Sequence, residues 1–272
     1  MFRRVLQSSA KLVAGVGALQ LGAAGVALTD KQLGKKPAWY QDAVKSLESS
    51  LKELGKSSYI ESEEVLTHAE EVFTRVVDLD NPHILWRLGR TFAEKAEFVH
   101  DPVKKVELLK KAVELTNKAI QLEGSNGLSG AHKWYAISAA RLLSVDKKAV
   151  KDPKHTQEQI WAHLKKATEL NPKDAYAFLH LGIAHFEKKE YKEALAAFKK
   201  ADELRQNTPQ ILFHLGEALR VSKQKQEAID TLKKAVASYS RNKFDRKAKS
   251  DAKRVLLTSL KQTAEDITPH ED

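Results

Sequence analysis

Gly182 and Gly216 lie 34 residues apart, and their surroundings repeat with them. Leu181-Gly182 answers to Leu215-Gly216, Ala194 to Ala228, Phe198 to Leu232 and Ala201 to Ala235. Ala167 extends the register one step back. Within one period, Phe178, Leu181, Gly182 and His185 share a helical face, as do Tyr191, Ala194, Phe198 and Ala201. Glycine inside a helix costs roughly 1 kcal/mol relative to alanine. Recurrence at one phase implies a packing reason for it, with Gly182 and Ala194 expected where two helices come closest. These glycines are assigned no chemistry.

A period of 34 built from two helices, with small residues at fixed places, is the pattern of the tetratricopeptide repeat (TPR). The expected fold is all-α: a tetratricopeptide-like α-solenoid of antiparallel helix pairs with a C-terminal capping helix. Such repeats offer a binding surface. The punctuation agrees. Asp101-Pro102 and Thr208-Pro209 read as N-caps followed by proline at the first helical position, Thr156 with Gln159 as a capping box, and Asn171-Pro172 as a helix end. Upstream the repeat is looser. Leu85, Leu88, Gly89 and Phe92 fit one first helix, with residues 103–122 as partner. Trp134, Ile137 and Ser138 fit the next, with residues 160–170 as partner after a Lys-rich insertion at 144–155. Residues 38–54 and 61–77 read as a diverged opening pair and 245–261 as the cap. The expected repeat domain spans 38–263, followed by a polar tail at 264–272.

The N-terminus differs. Residues 1–29 carry Arg3, Arg4 and Lys11 and no acid, and residues 12–28 run apolar apart from Gln20. At 1.5 Å per residue that run spans about 26 Å, against a hydrocarbon core of about 30 Å. The expectation for residues 1–30 is a membrane anchor or a mitochondrial targeting segment, with a secretory signal and an unstructured tail as further readings. Residues 31–37 read as a linker.

The chain holds 46 Lys and Arg against 36 Asp and Glu, a formal charge of +10. Arg246, Lys247, Lys249, Lys253 and Arg254 concentrate it near the end. Long-range attraction of acidic partners follows; the reading adopted takes no nucleic-acid partner. The absence of cysteine excludes disulfides and thiolate chemistry. His180 and His185 are five apart and point in different directions on a helix, and no second histidine completes a metalloprotease pattern after His214. Gly124 to Gly130 has no preceding strand and no following Lys-Ser/Thr, so it is a loop and not a phosphate cradle. No catalytic residue, metal or cofactor is expected. The expected partner-binding groove is instead an aromatic, histidine-bearing stripe on the first helices: His83, Trp86, Arg87 and Arg90; His132 and Tyr135; Tyr176, His180 and Phe186; Phe213, His214 and Arg220. Arg87 and Arg90, three apart, suit an anionic partner.

Three motifs carry a family resemblance: Ile84-Leu-Trp-Arg-Leu-Gly-Arg90, His132-Lys-Trp-Tyr-Ala-Ile137 and Ala167-Thr-Glu-Leu-Asn-Pro-Lys-Asp174. Over about residues 61–205 the chain resembles the regulator of microtubule dynamics family. It departs from the family in having only four residues, Glu187 to Glu190, where a longer insertion between helices is usual. The resemblance implies a non-enzymatic helical-repeat adaptor that binds microtubules, tubulin or a microtubule-associated protein, in the cytoplasm or at the spindle. The alternative it implies is a membrane-anchored lipid-binding or lipid-transfer module at mitochondrial contact sites, attached through residues 12–28.

Overall fold

The computed structural model describes residues 38–56, 59–75 and 81–267. The anchor or targeting segment expected at 1–30, the linker at 31–37 and the last five residues of the expected tail lie outside them. Among the described residues there is no strand. The chain divides into two compact units, residues 1–163 and 164–272.

The first unit opens with α1 (Ala38–Lys56) and α2 (Glu63–Thr74). It continues with α3 (Pro82–Lys95), α4 (Pro102–Gln121), α5 (Ser129–Val145), a 3-10 turn at Lys147–Ala149, and the start of α6 (Pro153–Leu170), which runs across the division. Consecutive helices from α1 to α5 pack together, and α5 also returns to α3. The second unit holds the pairs α7 (Ala175–Glu187) with α8 (Tyr191–Leu204), and α9 (Pro209–Val221) with α10 (Lys225–Ala237). Helix α11 (Lys243–Thr258) covers α9 and α10, which is the expected capping helix. A single turn, α12 (Ala264–Ile267), follows.

The helices start where side chains or proline relieve the unbonded N–H groups of a first turn. Asn81 accepts from the His83 N–H before Pro82, and Asp101 accepts from the Val103 N–H before Pro102. Asp174 accepts from both Tyr176 and Ala177. Thr208 sits at the N-cap position, but its hydroxyl makes no capping bond and is buried without a hydrogen-bond partner. The capping box expected at Thr156 is not there. Asp152 accepts from the His155 N–H, and the Thr156 hydroxyl donates to the Asp152 carbonyl. Pro153 is preorganised for a first helical position, so α6 begins earlier than expected and shortens the insertion.

The periodic glycines are where bulky side chains meet a bare backbone. A Cβ at Gly182 would stand 2.5 Å from the Phe198 ring, and one at Gly216 would stand 2.6 Å from Leu232. Gly89 does the same against Thr116 at 2.7 Å. The bulky partner of Gly182 is therefore Phe198, four residues beyond the expected Ala194, which is itself fully buried. The turns between paired helices repeat too. Lys189 and Lys223 both adopt φ of 63°, a left-handed conformation that costs a residue with Cβ about 1–2 kcal/mol. At the end of the chain, Leu232, Ala252, Val255, Leu256 and Leu260 form a core that Ile267 joins. Thr263 and Asp266 cap α12 reciprocally, which folds this stretch back onto the core. Residues 264–267, placed in the polar tail from sequence, thus belong to the folded unit.

Gly182→Ala is expected to lower stability by about 1–3 kcal/mol through overpacking, although alanine is the better helix former. Gly55, with nothing within 4 Å of its Cβ position, should accept alanine at no cost. Equal melting temperatures for these two variants would remove the seam assigned to Gly182.

Candidate partner-binding site

In the first unit, Leu51, Lys52, Leu54 and Gly55 of α1 and Trp86, Arg87 and Arg90 of α3 line a pocket of about 400 Å³. Both are first helices of consecutive pairs. Sequence spacing puts Arg87 and Arg90 on one face, and the structure brings both to this pocket in different states. Arg90 is buried; its Nε donates to Glu94 at 3.0 Å and its Nη1 donates to the Leu54 carbonyl. Glu94 also accepts from the Ile60 N–H, and the Arg90 guanidinium lies 5.0 Å from the Trp134 ring. Burial raises the Glu94 pKa, and Arg90 opposes the rise. Arg90 thus ties α3 to the end of α1 as well as lining the pocket. Arg87 lies over the Trp86 ring at 4.3 Å and donates to the His83 carbonyl at 2.8 Å. Its pKa is lowered to about 10, first by burial and then by the charge of Arg90. His83 is half-buried, its Nδ1 has no hydrogen-bond partner, and its pKa is lowered by burial and by Arg87.

His132 and Tyr135 are buried around a residue absent from the expected stripe, His163. The Nδ1 atoms of His132 and His163 are 2.7 Å apart, and His132 Nε2 meets Glu123 at 2.9 Å. The Tyr135 ring stands edge-on to His163 at 4.5 Å, and its hydroxyl donates to Gln159. These residues hold α5 against α6 and the loop after α4. No spacing rule links them, because Glu123, His132 and His163 come from three segments.

In the second unit, Tyr176 is buried with the Arg205 guanidinium 5.2 Å from its ring. Phe186 packs against Tyr191, and His214 stacks on Phe198 at 5.6 Å beside Phe213. Arg220 makes two hydrogen bonds to Glu217, which raise its pKa. His180 is half-buried. Of the expected basic surface, Arg246, Lys247, Lys253 and Arg254 are exposed on α11. Asp251 lies among them and accepts from Lys247 at 2.7 Å and Arg254 at 3.4 Å; the Lys247 bond leads in lowering its pKa. Lys249 is half-buried and donates to the Ser238 carbonyl, so it fastens the loop before α11.

Two of these histidines make stability depend on pH. Burial lowers His163 to about 4, His132 lowers it further, and Glu123 opposes. Burial also lowers His214 to about 4, with Asp251 opposing and Lys247 adding. The fold holds both imidazoles neutral. Their contribution is therefore complete above the ordinary histidine value near 6.5 and is lost as pH falls toward 4. Replacing both (His163→Gln with His214→Gln) should flatten the fall of melting temperature between pH 6.5 and pH 4 relative to the unaltered chain. Parallel curves would show that neither histidine is held neutral.

The comparisons with known proteins agree on family and fold. The model of the regulator of microtubule dynamics protein 1-3 family matches residues 47–190, more than half of the chain. That of anaphase-promoting complex (cyclosome) subunit 3 matches residues 159–235. Regulator of microtubule dynamics protein 1 from Rattus norvegicus is 37% identical over 100 residues, which is 36% of this chain and 31% of that protein. The Pongo abelii protein of the same name is 32% identical over 114 residues, 42% and 35% respectively. The chain thus spans about a third of the length of the curated relatives it matches. A thermophilic TPR protein of Thermus thermophilus superposes with a TM-score of 0.55 at 20% identity, covering 78% of this chain and 99% of that one. PilF of Pseudomonas aeruginosa gives 0.54 at 14%, covering 92% and 99%. These two carry the fold alone. A family match over more than half of the chain, on a tetratricopeptide-like α-solenoid, makes this protein a member of the regulator of microtubule dynamics family.

Proposed function

We propose that this protein is a non-enzymatic helical-repeat adaptor that associates with microtubules in the cytoplasm through the outer face of α11. The observation that carries the reading is the exposed cationic row Arg246, Lys247, Lys253 and Arg254 on the capping helix. Tubulin surfaces are acidic, and opposed charge fields steer association. Asp251 pairs with Lys247 and Arg254 within this row. The name of the relatives, regulator of microtubule dynamics protein 1, supports the partner. The helix-pair architecture supports an adaptor, since such folds work by presenting surface.

The test is co-sedimentation of the full chain with microtubules across a salt series. Binding should weaken steeply with salt, because exposed charges are screened beyond about 10 Å at 0.1 M. Reversing Arg246, Lys247, Lys253 and Arg254 to glutamate should weaken it by roughly tenfold or more, with helix content kept. Lys249 is left in place because it holds the Ser238 carbonyl. Binding that survives the reversal moves the contact off α11. If the unaltered chain does not sediment, the microtubule reading fails, and the membrane-anchored lipid module at mitochondrial contacts takes its place.

A further inference from the structure

The pocket between α1 and α3 is far from neutral. Lys52, Arg87 and Arg90 line it beside Leu51, Leu54 and Trp86, and among the described residues that line it there is no carboxylate. Glu94 engages Arg90 from within the fold. Arg87 is a half-buried cation next to a second guanidinium, and burial and Arg90 both lower its pKa. A negative group entering the pocket relieves that repulsion, and a guanidinium matches the planar geometry of a carboxylate. Lys52 is exposed at the rim and adds a mobile point charge.

We propose that this pocket takes an acidic side chain of an extended partner peptide, with Arg87 and Lys52 on its carboxylate and with Trp86, Leu51 and Leu54 against its aliphatic neighbour. The size fits. About 400 Å³ is near the low end of the roughly 300–1,000 Å³ typical of ligand pockets, room for one or two side chains. The surroundings favour a peptide over a membrane. Among the side chains described, the large apolar ones left exposed are Val103, Leu122, Val145, Tyr239 and Leu257, none of them on α3. A membrane contact or a two-chain lipid needs broad exposed apolar surface, and α3 offers none. The site lies in the first unit and is separate from α11, so it goes beyond the microtubule reading and does not depend on it.

The probe is a fluorescein-labelled hexaglutamate peptide, followed by anisotropy. The protein is the full chain already carrying the four α11 reversals, so that the basic cap does not report. Saturable binding is expected, with none for hexaglutamine. Lys52→Glu and Arg87→Gln should each weaken it by roughly tenfold or more. Lys52 is exposed, so its variant keeps the fold even if Arg87→Gln melts early. Three results overturn the proposal: no saturable binding, binding indifferent to Lys52→Glu, or pelleting with phosphatidylserine vesicles that depends on Lys52 while the peptide stays unbound. None of them touches the microtubule measurement, which reads α11 with the pocket intact.

Discussion

A bulky side chain seated on bare helix backbone is the contact on which the rest of this structure depends. Phe198 over Gly182, Leu232 over Gly216 and Thr116 over Gly89 set how closely the two helices of a pair approach. The spacing follows from volume: at 2.5–2.7 Å there is no room for even one methyl group. Closely packed interiors resist such insertions, so a change of one carbon is felt through the pair. Once the pair is held, its outer faces are fixed in direction, and the pocket lining on α3 and the cationic row on α11 are positioned as consequences.

Charge is sorted by depth. Inside the first unit, Arg90 and Glu94 meet at 3.0 Å and recruit the backbone of two other segments, Leu54 and Ile60. A buried pair of this kind is weak evidence for net stability, but removing one partner strands the other charge at a cost of roughly 3–5 kcal/mol. Its clearest product is geometry: the end of α1 is held beside Arg87. On α11 the same residue types face water, where each ion pair contributes little. There the sum of the charges matters more than any single pair. The protein thus carries two kinds of cation, those that join helices and those that meet solvent.

The sequence was most legible where one period governed it. The 34-residue register locates the glycines, the helix pairs of the second unit and the capping helix without any coordinate. Family membership was legible in three short motifs, and the family match over residues 47–190 covers them. Local chemistry was less reliable. Thr156 offered a capping box, and Asp152, followed by Pro153, took the role four residues earlier. Ile267 looked like part of a polar tail because its neighbours are acidic, yet it fills the last core. The stripe of aromatic and histidine residues does lie on the first helices, but His132, Tyr135 and Tyr176 are buried within the fold.

By itself the sequence determined the helix-pair architecture, the small-residue seam and the basic character of α11. These are properties of periodicity and composition along one helix, and a chain of side chains 3.6 to a turn states them directly. Only the tertiary structure decided that Arg90 reaches the Leu54 carbonyl and that Arg87 lines a pocket with Lys52. It alone brought His163 to His132, and it alone turned Lys249 inward to Ser238. Those outcomes join residues 11 to 36 positions apart. Their partners are chosen by helix packing and desolvation, for which no spacing in the sequence is a substitute.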